Sequence, residues 1–147
     1  MLKVRGYASV FGNVDSYGEI VDKGAFSDWL AAHPDDKVPL FWSHAHIFDI
    51  LAKPIGHTTL IKQDKAGLYF EGEILDTPDG EETQTLLRGR GRMPASFAFQ
   101  VVDQYQKGET WHLAKLDLKE VTATNWGANP AAYIEAVDEP PAEETTE

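Results

Sequence analysis

Three side chains of complementary chemistry stand far apart in the 147-residue sequence: His44 in "PLFWSHAH", Ser96 in "PASFAFQV" and Glu120 in "LDLKEVTAT". A serine hydroxyl is a poor nucleophile until an imidazole accepts its proton. The imidazole in turn needs an acceptor on its far nitrogen to fix tautomer and orientation. Hydroxyl, imidazole and carboxylate are the right three types, and their order along the chain is no constraint, because only convergence in space matters. Types alone are weak evidence, so each position has to be placed.

Strand alternation puts Leu40, Trp42, His44 and His46 on one side, aiming His44 toward the core or a cleft at its edge. The plain alternative is a buried histidine satisfied by one hydrogen bond. In the same way Leu116, Leu118 and Glu120 share one face of a strand, and Asp117, Lys119 and Val121 the other. That register turns a carboxylate inward beside two leucines, at a cost of several kcal/mol unless a cation or donor meets it. A slip of one residue would return Glu120 to solvent. Ser96 stands where Pro94 and Ala95 lead the chain into a strand.

Other constellations are weaker. "HAHIFD" offers His44, His46 and Asp49, with His57 in reserve, as metal ligands. It lacks a second well-spaced ligand pair, so no metal and no cofactor is expected. "RGRGRMP" has neither the lysine nor the strand-to-helix setting of a phosphate loop and reads as a helix end. His57 in "KPIGH" and the rigid "GANP" loop have structural reasons to be present.

The elements that must position these residues read as many short strands and two helices. "KVRGYASVFG" alternates as a first strand, "NVDSYGE" turns, and Phe26, Trp29 and Leu30 stand at helical spacing after Gly24 or Ser27, in a helix closed by Pro34. "KVPLFWSHAH" is a strand. "KPIGHTTLIKQD" and "GLYFEGEIL" pair around Asp64–Gly67. "TPDGEETQTLLRGRG" is the second helix, with Thr77 or Asp79 as cap, acids in its first turn and arginines near its end. "SFAFQVVDQYQ" and "TWHLAKLDLKEVTAT" form a long hairpin around Lys107–Gly108, and "NWGANPAAYIEAV" leads to a last short element. The pattern implies an α+β fold, a small, mostly antiparallel β-barrel flanked by helices.

The length suits one domain, residues 1–137, followed by an acidic disordered tail or linker stub over 138–147, where "VDEPPAEETTE" ends the chain without a basic residue. A net charge of −11 argues against nucleic acid, whose backbone demands basic clusters. Cysteine is absent, which removes disulfides, thiol nucleophiles and thiolate metal sites together. No window approaches the ~20 apolar residues of a membrane span, and the opening lacks a signal-peptide core. A soluble cytoplasmic protein is expected.

The ordered set "GYASVFGNVDSYGEIVDKGAF", "LFWSHAH", "KPIGHTTLIKQDKAGLYFEGEI", "SFAFQV", "LDLKEVT" and "NWGANPAAYI" resembles the tailed-phage prohead proteases, capsid-maturation serine proteases related to herpesvirus assemblin. The resemblance runs across nearly the whole domain. It implies an assemblin-like barrel and a serine endopeptidase. Its substrates would be scaffold and the N-terminal segment of the phage major capsid protein, cut inside the procapsid in the host cytoplasm. It also implies self-association, with self-cleavage as a further expectation. By the same resemblance His44 and Ser96 carry the family's histidine and serine. Assemblin's third member is a second histidine, and Glu120 occupies the comparable place, with Asp117 and His112 as competitors. Two departures stand out. Ala98 replaces a glycine common in the serine motif, and "TATNWGANP" lacks the arginines that help assemblin hold the oxyanion, leaving backbone N–H groups, a held water, Asn125 or Asn129. The competing class is a scaffold- or capsid-binding module that cuts nothing, although such a module has no reason to collect these three groups.

Overall fold

Period-two alternation becomes a closed sheet in the computed structural model, which describes residues 1–35 and 37–137. The expected tail at 138–147 lies outside the described residues. Among the described residues eight strands form: β1 (Leu2–Val10), β2 (Glu19–Val21), β3 (Pro39–Trp42), β4 (Gly56–Gln63), β5 (Gly67–Ile74), β6 (Arg92–Lys107), β7 (Thr110–Ala123) and β8 (Tyr133–Ala136). The helices α1 (Ser27–Ala32), α2 (Ala45–Phe48) and α3 (Pro78–Arg90) flank them. The order β7-β3-β4-β5-β1-β8-β6 returns to β7 through the β6–β7 pairing, so seven strands close a barrel and β2 adds outside on β7. The β2–β7 and β3–β7 pairs are parallel, and the other strand pairs among the described residues are antiparallel. The fold is therefore the α+β, mostly antiparallel barrel expected. Closure removes the open edges through which sheets aggregate.

Inside lie Val4, Leu40, Ile61, Leu68, Phe70, Leu116, Leu118, Val121 and Ile134, each at most 3% exposed. Burial of this kind contributes roughly 25 cal/mol per Å2 of apolar surface. The helices cover the barrel. Gln63 of β4 accepts from the Phe26 N–H at 3.0 Å and donates to Ser27 Oγ at 3.0 Å, holding the start of α1, which lacks a side-chain cap of its own. Phe26 then meets Phe97 of β6 edge-on at 5.5 Å, fixing the strand that carries Ser96. In α3 Thr77 caps the helix by accepting from the Gly80 N–H at 3.1 Å, and Gly91 ends it at φ 78°, a conformation open to glycine. Among the described residues no helix is long and apolar enough to cross a membrane.

Three local readings are corrected. β6 begins at Arg92 and pairs Met93 and Pro94 with β8, so Ser96 lies within the strand rather than at its start. β2 forms inside a stretch read as a turn and a helix approach, since three residues have too little length to show a period. β3 ends at Trp42, so His44 and His46 do not continue its alternation.

Candidate active site

β6 and β7 set the site's frame. Their antiparallel register pairs Ser96 with Thr122 and Ala98 with Glu120, and paired residues in a ladder share a face. A register shift pairs Glu120 with Ala98 but Leu118 with Phe99, and so breaks the alternation expected of Leu116, Leu118 and Glu120. The carboxylate stands on the face opposite the two leucines, where it is nonetheless 1% exposed. β7 is buried on both faces at this end, because Val121, Thr122 and Ala123 are buried too.

The partners demanded by a buried carboxylate are present. Glu120 Oε1 accepts from the Ala98 N–H at 3.0 Å. Oε2 accepts from His44 Nδ1 at 3.0 Å, from His46 Nε2 at 2.9 Å and from the Thr122 hydroxyl at 3.1 Å. Four donors engage a group with about four lone-pair sites, so the charge is compensated without full exposure to water.

His44 reaches Glu120 through a turn. Ser43 and His44 both take the left-handed conformation, at φ 47° and 52°, before α2 begins at Ala45. Non-glycine residues there cost of order 1–3 kcal/mol each and persist where surrounding contacts hold them. The end of β7 supplies those contacts. The Ser43 N–H donates to the Ala123 carbonyl at 2.8 Å, the Ser43 and Thr124 hydroxyls bond at 2.8 Å, and the His44 N–H donates to Thr122 Oγ1 at 3.0 Å. Two residues further, His46 returns to the same carboxylate oxygen, its ring 4.9 Å from that of Phe41.

Because His44 Nδ1 donates to Glu120, the proton of a neutral imidazole sits on Nδ1 and the Nε2 lone pair is open. His44 and Ser96 line one cleft of about 400 Å3, with Tyr17, Ile47, Phe97 and Trp126 among its apolar walls. Among the described residues no hydrogen bond joins the Ser96 hydroxyl to His44, so the imidazole–carboxylate contact is formed while the serine shares only the cleft. Ser9, 1% exposed, lines the same cleft, and its hydroxyl has no hydrogen-bond partner among the described residues. Glu19 lies there as well, its carboxyl pushed up by burial and then by the charge of Asp15.

The competitors lie elsewhere. His112 bonds Asp22 at 2.8 Å under the stacked ring of Tyr105, and Asp117 pairs across the ladder with Gln100. His57 approaches Glu73 at 3.5 Å, and Asp49 accepts from the Leu51 N–H in a local turn. Asn129 does line the cleft of His44 and Ser96, but its side chain is paired with Asn13 through both its amide nitrogen and its oxygen. Sequence reasoning missed the roles of Thr122, the Ala98 N–H and the Glu120–His46 contact. The first had a signal, since Thr122 follows Glu120 by two and shares its face. The last had none, because it depends on the turn at Ser43–His44.

The caudovirus prohead serine protease family matches residues 1–146. The chain is 32% identical over 136 residues to the prohead protease of Enterobacteria phage HK97, covering 90% of this chain and 58% of that protein's length. In fold it is similar to a Kaposi's sarcoma herpesvirus protease solved with a hexapeptide phosphonate inhibitor, at a TM-score of 0.62 and 14% identity over 94% of this chain and 65% of that one. A Kaposi's sarcoma-associated herpesvirus protease in complex with a dimer disruptor matches at a TM-score of 0.55 and 12% identity, over 95% and 77%. With its family matched along almost its full length, the chain belongs to the caudovirus prohead serine proteases.

Proposed function

We propose that this chain is the catalytic unit of a serine endopeptidase in phage capsid maturation, with Ser96 as nucleophile, His44 as general base and Glu120 as the group that orients His44. The observation that carries the reading is the 3.0 Å contact between Glu120 Oε2 and His44 Nδ1, made by an imidazole that shares its cleft with Ser96. Ser96 Oγ attacks the scissile carbonyl while its proton passes to His44 Nε2. The imidazolium, paired with Glu120, then protonates the leaving amine as the C–N bond breaks. Water, activated by the same imidazole, hydrolyses the acyl-enzyme and restores the serine. Substrate binding is what brings Ser96 and His44 to hydrogen-bonding range, as catalytic contacts commonly tighten in the bound complex.

The substrates in this reading are scaffold and the N-terminal segment of the major capsid protein, met inside the procapsid within the host cytoplasm. Self-cleavage and self-association belong to the same proposal. The test is to incubate purified chain with its cognate scaffold and capsid protein and to follow fragments by mass spectrometry, beside Ser96→Ala and His44→Ala. Each substitution is expected to lower the rate by about ten-thousand-fold or more, with thermal stability retained by Ser96→Ala. Cleavage unaffected by Ser96→Ala overturns the serine mechanism. Tight scaffold binding without any fragments would instead assign a binding module.

A further inference from the structure

We propose that His44, His46 and Glu120 form a zinc-class metal site, and that a metal bound there switches off the base. The site stands on geometry alone, whereas the switch rests on the proposed role of His44. Both imidazoles reach the same carboxylate oxygen, at 3.0 and 2.9 Å, and the three ligand atoms lie within 4.8 Å of one another. Nitrogen and oxygen ligands around a tetrahedral ion at about 2.0–2.1 Å stand about 3.3 Å apart. The two nitrogen–oxygen distances need to change by only a few tenths of an ångström, and rotation of the partly exposed imidazoles closes the wider gap between their nitrogens by up to about 1.5 Å.

The donor chemistry selects the metal. Two imidazoles and a carboxylate suit zinc and its neighbours, whereas magnesium and calcium take oxygen ligands. The outer shell is built. Ala98 N–H holds Oε1 of Glu120, and the Thr122 hydroxyl holds Oε2 while bridging to the His44 N–H. Such contacts orient ligands and raise affinity. The imidazoles are partly open, at 25% and 31% side-chain exposure, so an ion can enter from solvent.

The consequence for His44 follows from counting protons. A metal on Nδ1 uses the lone pair of that nitrogen, and the proton moves to Nε2. His46 does the converse, with metal on Nε2 and proton on Nδ1. No electron is transferred, and neutral imidazoles lose no proton. His44 Nε2 becomes an N–H donor with no lone pair for the Ser96 proton, so attack on the carbonyl stops until the ion leaves.

The experiment titrates the intact chain, freed of metal by a chelator that is then removed, with Zn2+ in a calorimeter. Wild type is compared with Ser96→Ala, His46→Gln and His57→Gln. One Zn2+ per chain is expected. Ser96→Ala and His57→Gln should bind as wild type does, and His46→Gln about tenfold or more weaker, since an amide is a poor zinc ligand. Scaffold cleavage by wild type should fall in step with Zn2+ occupancy and return on chelation. Absent or non-stoichiometric binding overturns the site, as does binding unchanged in His46→Gln. Cleavage that persists at full occupancy overturns the switch and leaves the site standing. A metal-free chain that cuts nothing also overturns the switch, through failure of the protease reading, and the binding arm still decides the site.

Discussion

Two consecutive left-handed residues without a glycine make the Ser43–His44 turn the most constrained backbone at the site. A turn that costs energy must be held, and Thr122 holds it from the centre. Its hydroxyl accepts from the His44 N–H and donates to Glu120 Oε2, using one oxygen to tie the backbone and the carboxylate together. Thr122→Val keeps the shape and removes both bonds. The expected loss is about 1–3 kcal/mol of stability, from a partly buried N–H left without its partner. Cleavage should drop by about tenfold or more in kcat with KM little changed, because the imidazole loses its orientation while the cleft walls stay. Melting curves and steady-state kinetics on the same preparation check this. Full kcat in Thr122→Val would mean that the Glu120 contact alone holds His44.

At the scale of elements, register decides what a side chain can do. β8 lies between β1 and β6, and Glu135 stands opposite Arg5 on one side and Arg92 on the other. It accepts from Arg5 Nε at 2.9 Å and from Arg92 Nη2 at 2.7 Å, while the Arg92 guanidinium stacks over Tyr133 at 3.8 Å. Arg92, then Arg5, hold the Glu135 carboxyl below the usual glutamate range against the opposing effect of burial. A carboxyl lowered in the folded state contributes stability that is present above its unfolded value, near 4.3, and is lost as pH falls through the lower folded value. Glu135→Gln should therefore cost about 1 kcal/mol at neutral pH, and its unfolding curve should merge with wild type in strong acid. Chemical denaturation at a series of pH values reads this directly. An undiminished gap at low pH would assign the loss to packing. The same scale explains what the sequence made legible. Leu116 and Leu118 face the core as alternation expects, but the register shift before Glu120 turns the carboxylate to the other face, where His44 and His46 meet it. His44 and His46 were put on a strand that stops at Trp42, and they still meet Glu120, because β7 catches the turn through Ala123 and Thr122. Alternation cannot express that non-local contact, and the three-residue β2 exists only because the rim of β7 offers it a partner.

Taken whole, the molecule uses a closed barrel to hold two site strands, β6 and β7, against a turn from the end of β3. Chemistry and stability should therefore be separable by substitution. Phe70 is fully buried on β5, opposite Gly6 of β1 and Ile61 of β4, on the side of the barrel order away from the β6–β7 pair. Gly6 is itself fixed by packing, since a Cβ there would stand 1.9 Å from the Tyr133 carbonyl oxygen across the β1–β8 seam. Little backbone adjustment is available to refill a cavity at Phe70. Phe70→Ala should then cost about 3–5 kcal/mol, a large share of the 5–15 kcal/mol typical of folded domains, and lower Tm by roughly 10–20 °C. Well below the new Tm, the folded fraction should still cut scaffold within a few-fold of wild type. Ser96→Ala should do the reverse, keeping Tm and losing turnover. Measuring both variants by calorimetry and by cleavage at a common low temperature tests the separation. A Phe70→Ala protein that stays folded at that temperature yet loses turnover as fully as Ser96→Ala would show that the far wall of the barrel controls the geometry of His44, Glu120 and Ser96, and that the site is a property of the closed barrel as a whole.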